Sequence, residues 1–219
     1  QIGTPTRTPT LTPTPQSHAV ANTLVIEATE DTYVVTDLSN HEDLRQLQTT
    51  NYGSLEFLKA WSRFGVAAEE RVVSVDLVKF DLTELRNRNI ESAFFQLFAQ
   101  QADMKQFARL VDVHLVESEW SQDSVNFENR PKWGQAPIAT TAIYGPGGWY
   151  SWNVTGPLLS AAREGEVSFA VGMRVLDDDS EEQVVFVSTE GVDKMPRLMV
   201  TYAAEDGTVE WWVWWLGAA

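Results

Sequence analysis

The residues best suited to hold a ligand are oxygen donors and indole rings rather than nucleophiles. Glu27, Glu30 and Asp31 crowd a short stretch between two β-branched runs. Carboxylates are hard oxygen ligands, and these three, joined by a later loop, are expected to hold a structural calcium ion. Residues 177–182, Asp-Asp-Asp-Ser-Glu-Glu, form a second acidic run of the kind that ordinarily sits solvated on a hairpin. Three histidines (His18, His41 and His114) lie far apart, so no pair has metal-ligand spacing. No nucleophile elbow is present. A carboxylate pair placed for glycoside hydrolysis carries no weight in a chain with 31 acidic residues. No catalytic residue is assigned, no organic cofactor is expected, and the reading is of a protein that is not an enzyme.

Sugar rings bind on exposed aromatic platforms flanked by polar groups. Trp61, Trp133 and Trp149 each fall near a turn and are the candidates for such a platform. Trp120, Tyr150 and Trp152 are expected in the core. Asn153-Val-Thr155 is an N-glycosylation sequon, but within an expected strand it reads as unmodified.

The elements that must position these residues are short strands. β-branched and alternating runs cover 23–26, 32–35, 55–61, 71–82, 90–98, 109–116, 149–155, 167–175, 184–188 and 197–202. Residues 90–98 are apolar on both parities, as a central strand is. The stretch 113–131 alternates, breaks into a polar turn at Trp120–Asp123, resumes as a strand over 124–127 and stops at Pro131. Only 42–47 and 158–163 show helical character. Many short strands without a sustained helical period predict an all-β sandwich or barrel.

The chain of 219 residues has no cysteine and a net charge of −15. That charge repels nucleic acid and suits a soluble exported protein. No apolar leader stands at the N-terminus, as expected of a processed chain, and no run is long enough to span a membrane. Two segments flank the globular stretch 20–204. Residues 1–19 form an extended arm in which Thr4, Thr6, Thr8, Thr10, Thr12 and Thr14 alternate with Pro5, Pro9, Pro13, Pro15 and other residues. The prolines remove donors from one side only, so the arm is expected to pair with a single neighbouring strand, and its threonines suit O-glycosylation. Residues 205–219 form an aromatic tail whose Trp211, Trp212, Trp214 and Trp215 would make both faces of a strand apolar. Such a strand is expected to pack on its own domain or to enter a neighbouring subunit.

Six fragments in order carry a family resemblance: Asp31-Thr-Tyr-Val, Thr50-Asn-Tyr-Gly-Ser, Val78-Lys-Phe-Asp-Leu, Trp120-Ser with Ser124-Val-Asn-Phe-Glu-Asn-Arg-Pro131, Gly148-Trp-Tyr-Ser-Trp-Asn-Val-Thr155, and Ser188-Thr-Glu-Gly with Met195-Pro-Arg-Leu-Met-Val-Thr-Tyr202. Over roughly residues 24–203 the chain resembles the DNRLRE-domain family of prokaryotic surface modules, some of them classed as carbohydrate-binding. The resemblance implies a jelly-roll β-sandwich, an extracellular or cell-surface setting, and a calcium ion near the first strand.

Two functions follow as expectations. The first is a non-catalytic exported subunit that assembles with copies of itself into a filament or surface layer, through the threonine–proline arm or the tryptophan-rich tail. The alternative is a carbohydrate-binding module whose partner is a polysaccharide.

Overall fold

The computed structural model describes residues 21–37, 45–64, 71–102, 108–116, 119–175 and 183–204. Among them run eleven strands: β1 (Ala21–Glu27), β2 (Glu30–Asp37), β3 (Phe57–Phe64), β4 (Arg71–Asp81), β5 (Ile90–Ala102), β6 (Arg109–Leu115), β7 (Ala139–Ile143), β8 (Gly148–Asn153), β9 (Ser168–Val175), β10 (Gln183–Val187) and β11 (Arg197–Ala203). A short helix α1 (Arg45–Thr49) and a longer α2 (Thr155–Glu164) complete the elements. Every named strand pair is antiparallel. In one sheet β1, β11 and β5 lie in order, with β8 and β10 also on β5; in the other, β2, β4, β9, β6 and β7 lie side by side. The two form a curled, jelly-roll-like all-β sandwich, the architecture expected from the sequence.

Strand β3 turns the corner between the sheets. Residues 57–61 pair with β10 in the first sheet and residues 62–64 with β4 in the second. A strand that leaves one partner for another strands its backbone groups, and those must be satisfied elsewhere. Two β4 side chains do so. Asp76 Oδ1 accepts from the Lys59 N–H at 2.8 Å, and Ser74 Oγ accepts from the Trp61 N–H at 2.8 Å while donating to the Lys59 carbonyl.

The core between the sheets is aromatic. Phe80 of the second sheet meets Phe95 of the first edge-on at 5.9 Å, and Phe95 in turn meets Trp152 at 5.5 Å. Trp152 is fully buried, and its indole N–H donates across the sandwich to the Val111 carbonyl at 2.9 Å. As expected, Trp152 and Trp120 are core residues, while Tyr150 is only partly buried.

Part of the second sheet is apolar on its outer side too. Val34, Val75, Leu77 and Val116 point away from the main core and pack beneath Trp120 and Val125, with Phe127 and Trp133 at the margin. The cover is the segment 119–138, and here the expected strand over 124–127 does not form. Asparagine side chains take its backbone: Asn126 N–H donates to Asn129 Oδ1 at 2.7 Å, and Asn126 Oδ1 accepts from the Glu128 and Asn129 N–H groups. Such local bonds compete with a ladder and leave Val125 and Phe127 free to cap the sheet face. Strand β7, Ala-Thr-Thr-Ala-Ile, carries no alternation and was not expected. Strand β8 ends two residues earlier than its pattern suggests, because Thr155 opens α2. Pro157 lies in the first turn, where the missing N–H has no intrahelical partner anyway, and Gly165 closes the helix at φ 78.

The cover is tied down at one tight point. Asn51 Nδ2 donates to the Gln122 carbonyl at 2.6 Å and to the Val125 carbonyl at 2.7 Å. A β-carbon on Gly53 would overlap the Gln122 carbonyl oxygen. Gly53→Ala is therefore expected to lower stability by about 1–3 kcal/mol through overpacking, read as a lower urea midpoint with an unchanged m-value.

Candidate functional site

Alternation along β5, β8 and β11 sends one parity into the core and the other outward. On β5 the inward residues Ala93, Phe95, Leu97 and Ala99 are fully buried. The outward set is Phe94, Gln96, Phe98 and Gln100, of which Phe94 is 37% exposed. Opposite Phe98 lies Trp149, opposite Gln96 lie Ser151 on one side and Arg197 on the other, and opposite Phe94 lie Asn153 and Met199. The outer face of the first sheet thus carries an aromatic and polar patch, of which Phe94 is exposed and Phe98 and Trp149 partly so.

The patch is ordered by its own contacts. Phe98 and Trp149 meet edge to face at 5.7 Å. The Arg197 guanidinium lies 3.7 Å from the Trp149 ring centre, and Lys194 Nζ lies 4.0 Å from that of Phe98. Gln96 links the row, accepting from Arg197 Nε at 3.0 Å and donating to Ser151 Oγ at 2.8 Å. Beside Phe98 a groove of about 350 Å³ continues past Gln100, Val192, Asp193 and Lys194. Rings that are half exposed and flanked by oriented donors can stack on the C–H face of a sugar and bond its hydroxyls. Of these residues only Trp149 was a candidate on sequence. Phe94 and Phe98 were legible as a second apolar parity on β5, but that pattern reads as burial on both sides.

The other two candidates stand elsewhere. Trp61 covers the cluster of Tyr33, Val35 and Val72, with Lys59 Nζ 4.4 Å from its ring. Trp133 stacks with His114 at 5.0 Å and lies so close on Gly172 that a β-carbon there would come within 2.8 Å of the ring. A groove of about 590 Å³ runs along 130–135 beside it, lined by that one loop. Trp61 and Trp133 serve packing, and neither meets Trp149.

The carboxylates expected to bind calcium are not brought together. Glu27 sits on β1 opposite Arg197 in the first sheet. Glu30 and Asp31 are successive on β2 and so point to opposite faces. Glu30 forms an ion pair with Lys79 at 2.8 Å and accepts from the Gln122 N–H at 2.9 Å. Asp31 is buried, and both its oxygens accept from Thr189, from the N–H at 2.8 Å and from Oγ1 at 3.2 Å. Among the described residues no three acids or histidines gather as a metal site, so these three do not fit a shared ion.

A different acidic group forms instead. Glu190 Oε2 accepts from Ser188 Oγ and Thr189 Oγ1, each at 3.0 Å, while Glu190 Oε1 accepts from Gln122 Nε2 at 2.9 Å. Burial pushes the Asp31 carboxyl up to about 7, and the nearby Glu190 charge adds to the rise. Asp76 is fully buried and is likewise raised well above the carboxylate range, chiefly by burial, with Asp31 adding to it.

The threonine–proline arm, the tryptophan-rich tail, the acidic run 177–182, His18 and His41 lie outside the described residues. No helix among the described residues is long and apolar enough to cross a membrane. The family model of carbohydrate-binding module family 96 matches residues 22–202. No curated protein matches the chain.

The buried acids give stability a definite pH dependence. A carboxyl that titrates near 4 when unfolded but well above that when folded keeps its proton only in the folded state over the interval between. Its contribution is complete below the unfolded value and declines as pH rises toward the folded one. Asp76→Asn keeps an acceptor for the Lys59 N–H and carries no charge. The variant is expected to match the native protein near pH 4 and to exceed it by a widening margin up to pH 8, as measured by denaturant melts across that range.

Proposed function

The chain belongs to carbohydrate-binding module family 96, and from that membership we propose that it binds a polysaccharide on the outer face of its first sheet. The observation that carries this reading is the ordered row of Trp149, Arg197, Gln96 and Ser151 beside the exposed Phe94 and the partly buried Phe98. Trp149 and Phe98 supply apolar floor for the sugar rings. Gln96, Ser151 and Arg197 supply hydrogen bonds already fixed in direction, which lowers the entropy lost on binding. The groove past Lys194 and Asp193 extends the face beyond a single ring, as a chain-binding site requires. In this reading the module is a non-catalytic part of a secreted or cell-surface protein, and it brings that protein to its polysaccharide.

Self-assembly, the first expectation from the sequence, finds no support in the family match or in the described residues. Polysaccharide binding is the reading we adopt.

Affinity electrophoresis against a panel of neutral and acidic polysaccharides tests it. Trp149→Ala and Arg197→Ala are each expected to weaken retardation by the preferred polymer at least about tenfold, because central aromatic and arginine groups dominate such contacts. Trp61→Ala is expected to leave binding unchanged. A native protein that no polymer retards, or a Trp149→Ala variant with full retardation and a native circular dichroism spectrum, would overturn the assignment.

A further inference from the structure

The cluster around Gln122 holds a nucleophile and an electrophile on one carboxylate. Thr189 Oγ1 bonds Glu190 Oε2 at 3.0 Å, and Gln122 Nε2 bonds Glu190 Oε1 at 2.9 Å, so the hydroxyl and the carboxamide share one carboxylate as partner. Gln122 Oε1 accepts from the Asp31 backbone N–H at 3.1 Å. The amide is thereby held at both ends, with a fixed donor on the oxygen that would carry charge in an attack at its carbon. Thr189 is held as well, by the bond from its own N–H to Asp31 Oδ2 at 2.8 Å, with Asp31 Oδ1 lying 3.2 Å from its hydroxyl oxygen. None of Gln122, Thr189 and Glu190 takes part in the proposed polysaccharide site, which leaves this constellation unused.

We propose that Thr189 and Gln122 are joined by an intramolecular ester bond formed after folding. Thr189 Oγ1 attacks Cδ of Gln122, and its proton passes to Glu190. The developing negative charge on Oε1 faces the Asp31 N–H. As the tetrahedral centre collapses, the Cδ–Nε2 bond breaks, Glu190 returns the proton to the nitrogen, and ammonia leaves. One C–O bond forms, one C–N bond breaks, and neither an oxidant nor a further reactant is needed. Glu190 is the general base and then the general acid, the part an adjacent carboxylate plays toward a hydroxyl nucleophile. The product ties the cover of the second sheet, through Gln122, to the turn that follows β10 in the first. In a chain without cysteine no disulfide can make that link.

The test is mass spectrometry of the folded full chain. Its tryptic map is expected to contain one species joining peptides 110–132 and 175–194, lighter than their sum by one ammonia, about 17 Da, and opened by mild alkali. The peptide map decides rather than the intact mass, because only the map places the lost ammonia between these two peptides. Thr189→Val and Gln122→Ala are expected to yield the two peptides unlinked. Finding only separate, unmodified 110–132 and 175–194 in the native protein would overturn the ester, and a Glu190→Gln chain that links as fully as the native one would overturn the role given to Glu190.

Discussion

The second sheet carries apolar side chains on part of its outer face as well as on its inner one, and much of the molecule follows from that constraint. Val34, Val75 and Leu77 on its outer side would lie in water if the segment 119–138 did not cover them with Trp120 and Val125. Burying such groups is the main favourable term in folding, but an irregular cover must also satisfy its own backbone. Asparagines 51, 126 and 129 do this with side-chain bonds, and Lys79 fastens the edge. Its ammonium pairs with Glu30, donates to the Trp120 carbonyl and lies 4.6 Å from the Trp120 ring. Gln122 takes the Asp31 N–H, which closes off part of the β2 edge.

Covering one sheet leaves the other to meet solvent. The outer side of β5, β8 and β11 carries half-exposed aromatic rings interleaved with Gln96, Ser151 and Arg197, an arrangement that costs solvation unless it is used. In the proposed reading, family membership gives the class of ligand and the pattern of burial suggests the place. The same division sets Trp61 and Trp133, equally near turns, away from that face. Both belong to the covered side or to the corner and are held by Tyr33's cluster or by His114 and Gly172.

The acidic residues divide in a similar way. Among the described residues most acids reach solvent, whereas Asp31, Asp76 and Asp112 are buried. Asp76 replaces a missing ladder bond at the β3 corner, and Asp31 anchors the turn carrying Thr189 and Glu190. Their raised proton affinity reflects that structural duty. A cluster of acids near the first strand therefore reads differently once its partners are visible: Glu30 is neutralised by a lysine, and Glu27 is in the other sheet.

Local pattern alone determined the all-β class, ten of the strand positions, the helical turn near Arg45, the helix after β8 and the core place of Trp152, because alternation and turn residues act over a few neighbours. It also marked Trp149. Only the tertiary structure decided that 119–138 is a cover rather than a hairpin strand, since Val125 and Phe127 have the same composition in either role. It alone placed Phe98, Lys194 and Arg197 around Trp149, and Gln122 beside Thr189. Those residues are separated by dozens of positions or more, and their meeting depends on how β5 pairs with β8 and β11 and on where the cover is pinned. Glu27, Glu30 and Asp31 show the converse. Adjacency in the chain suggested one site, but strand alternation and the division between two sheets sent the three carboxylates to three different places.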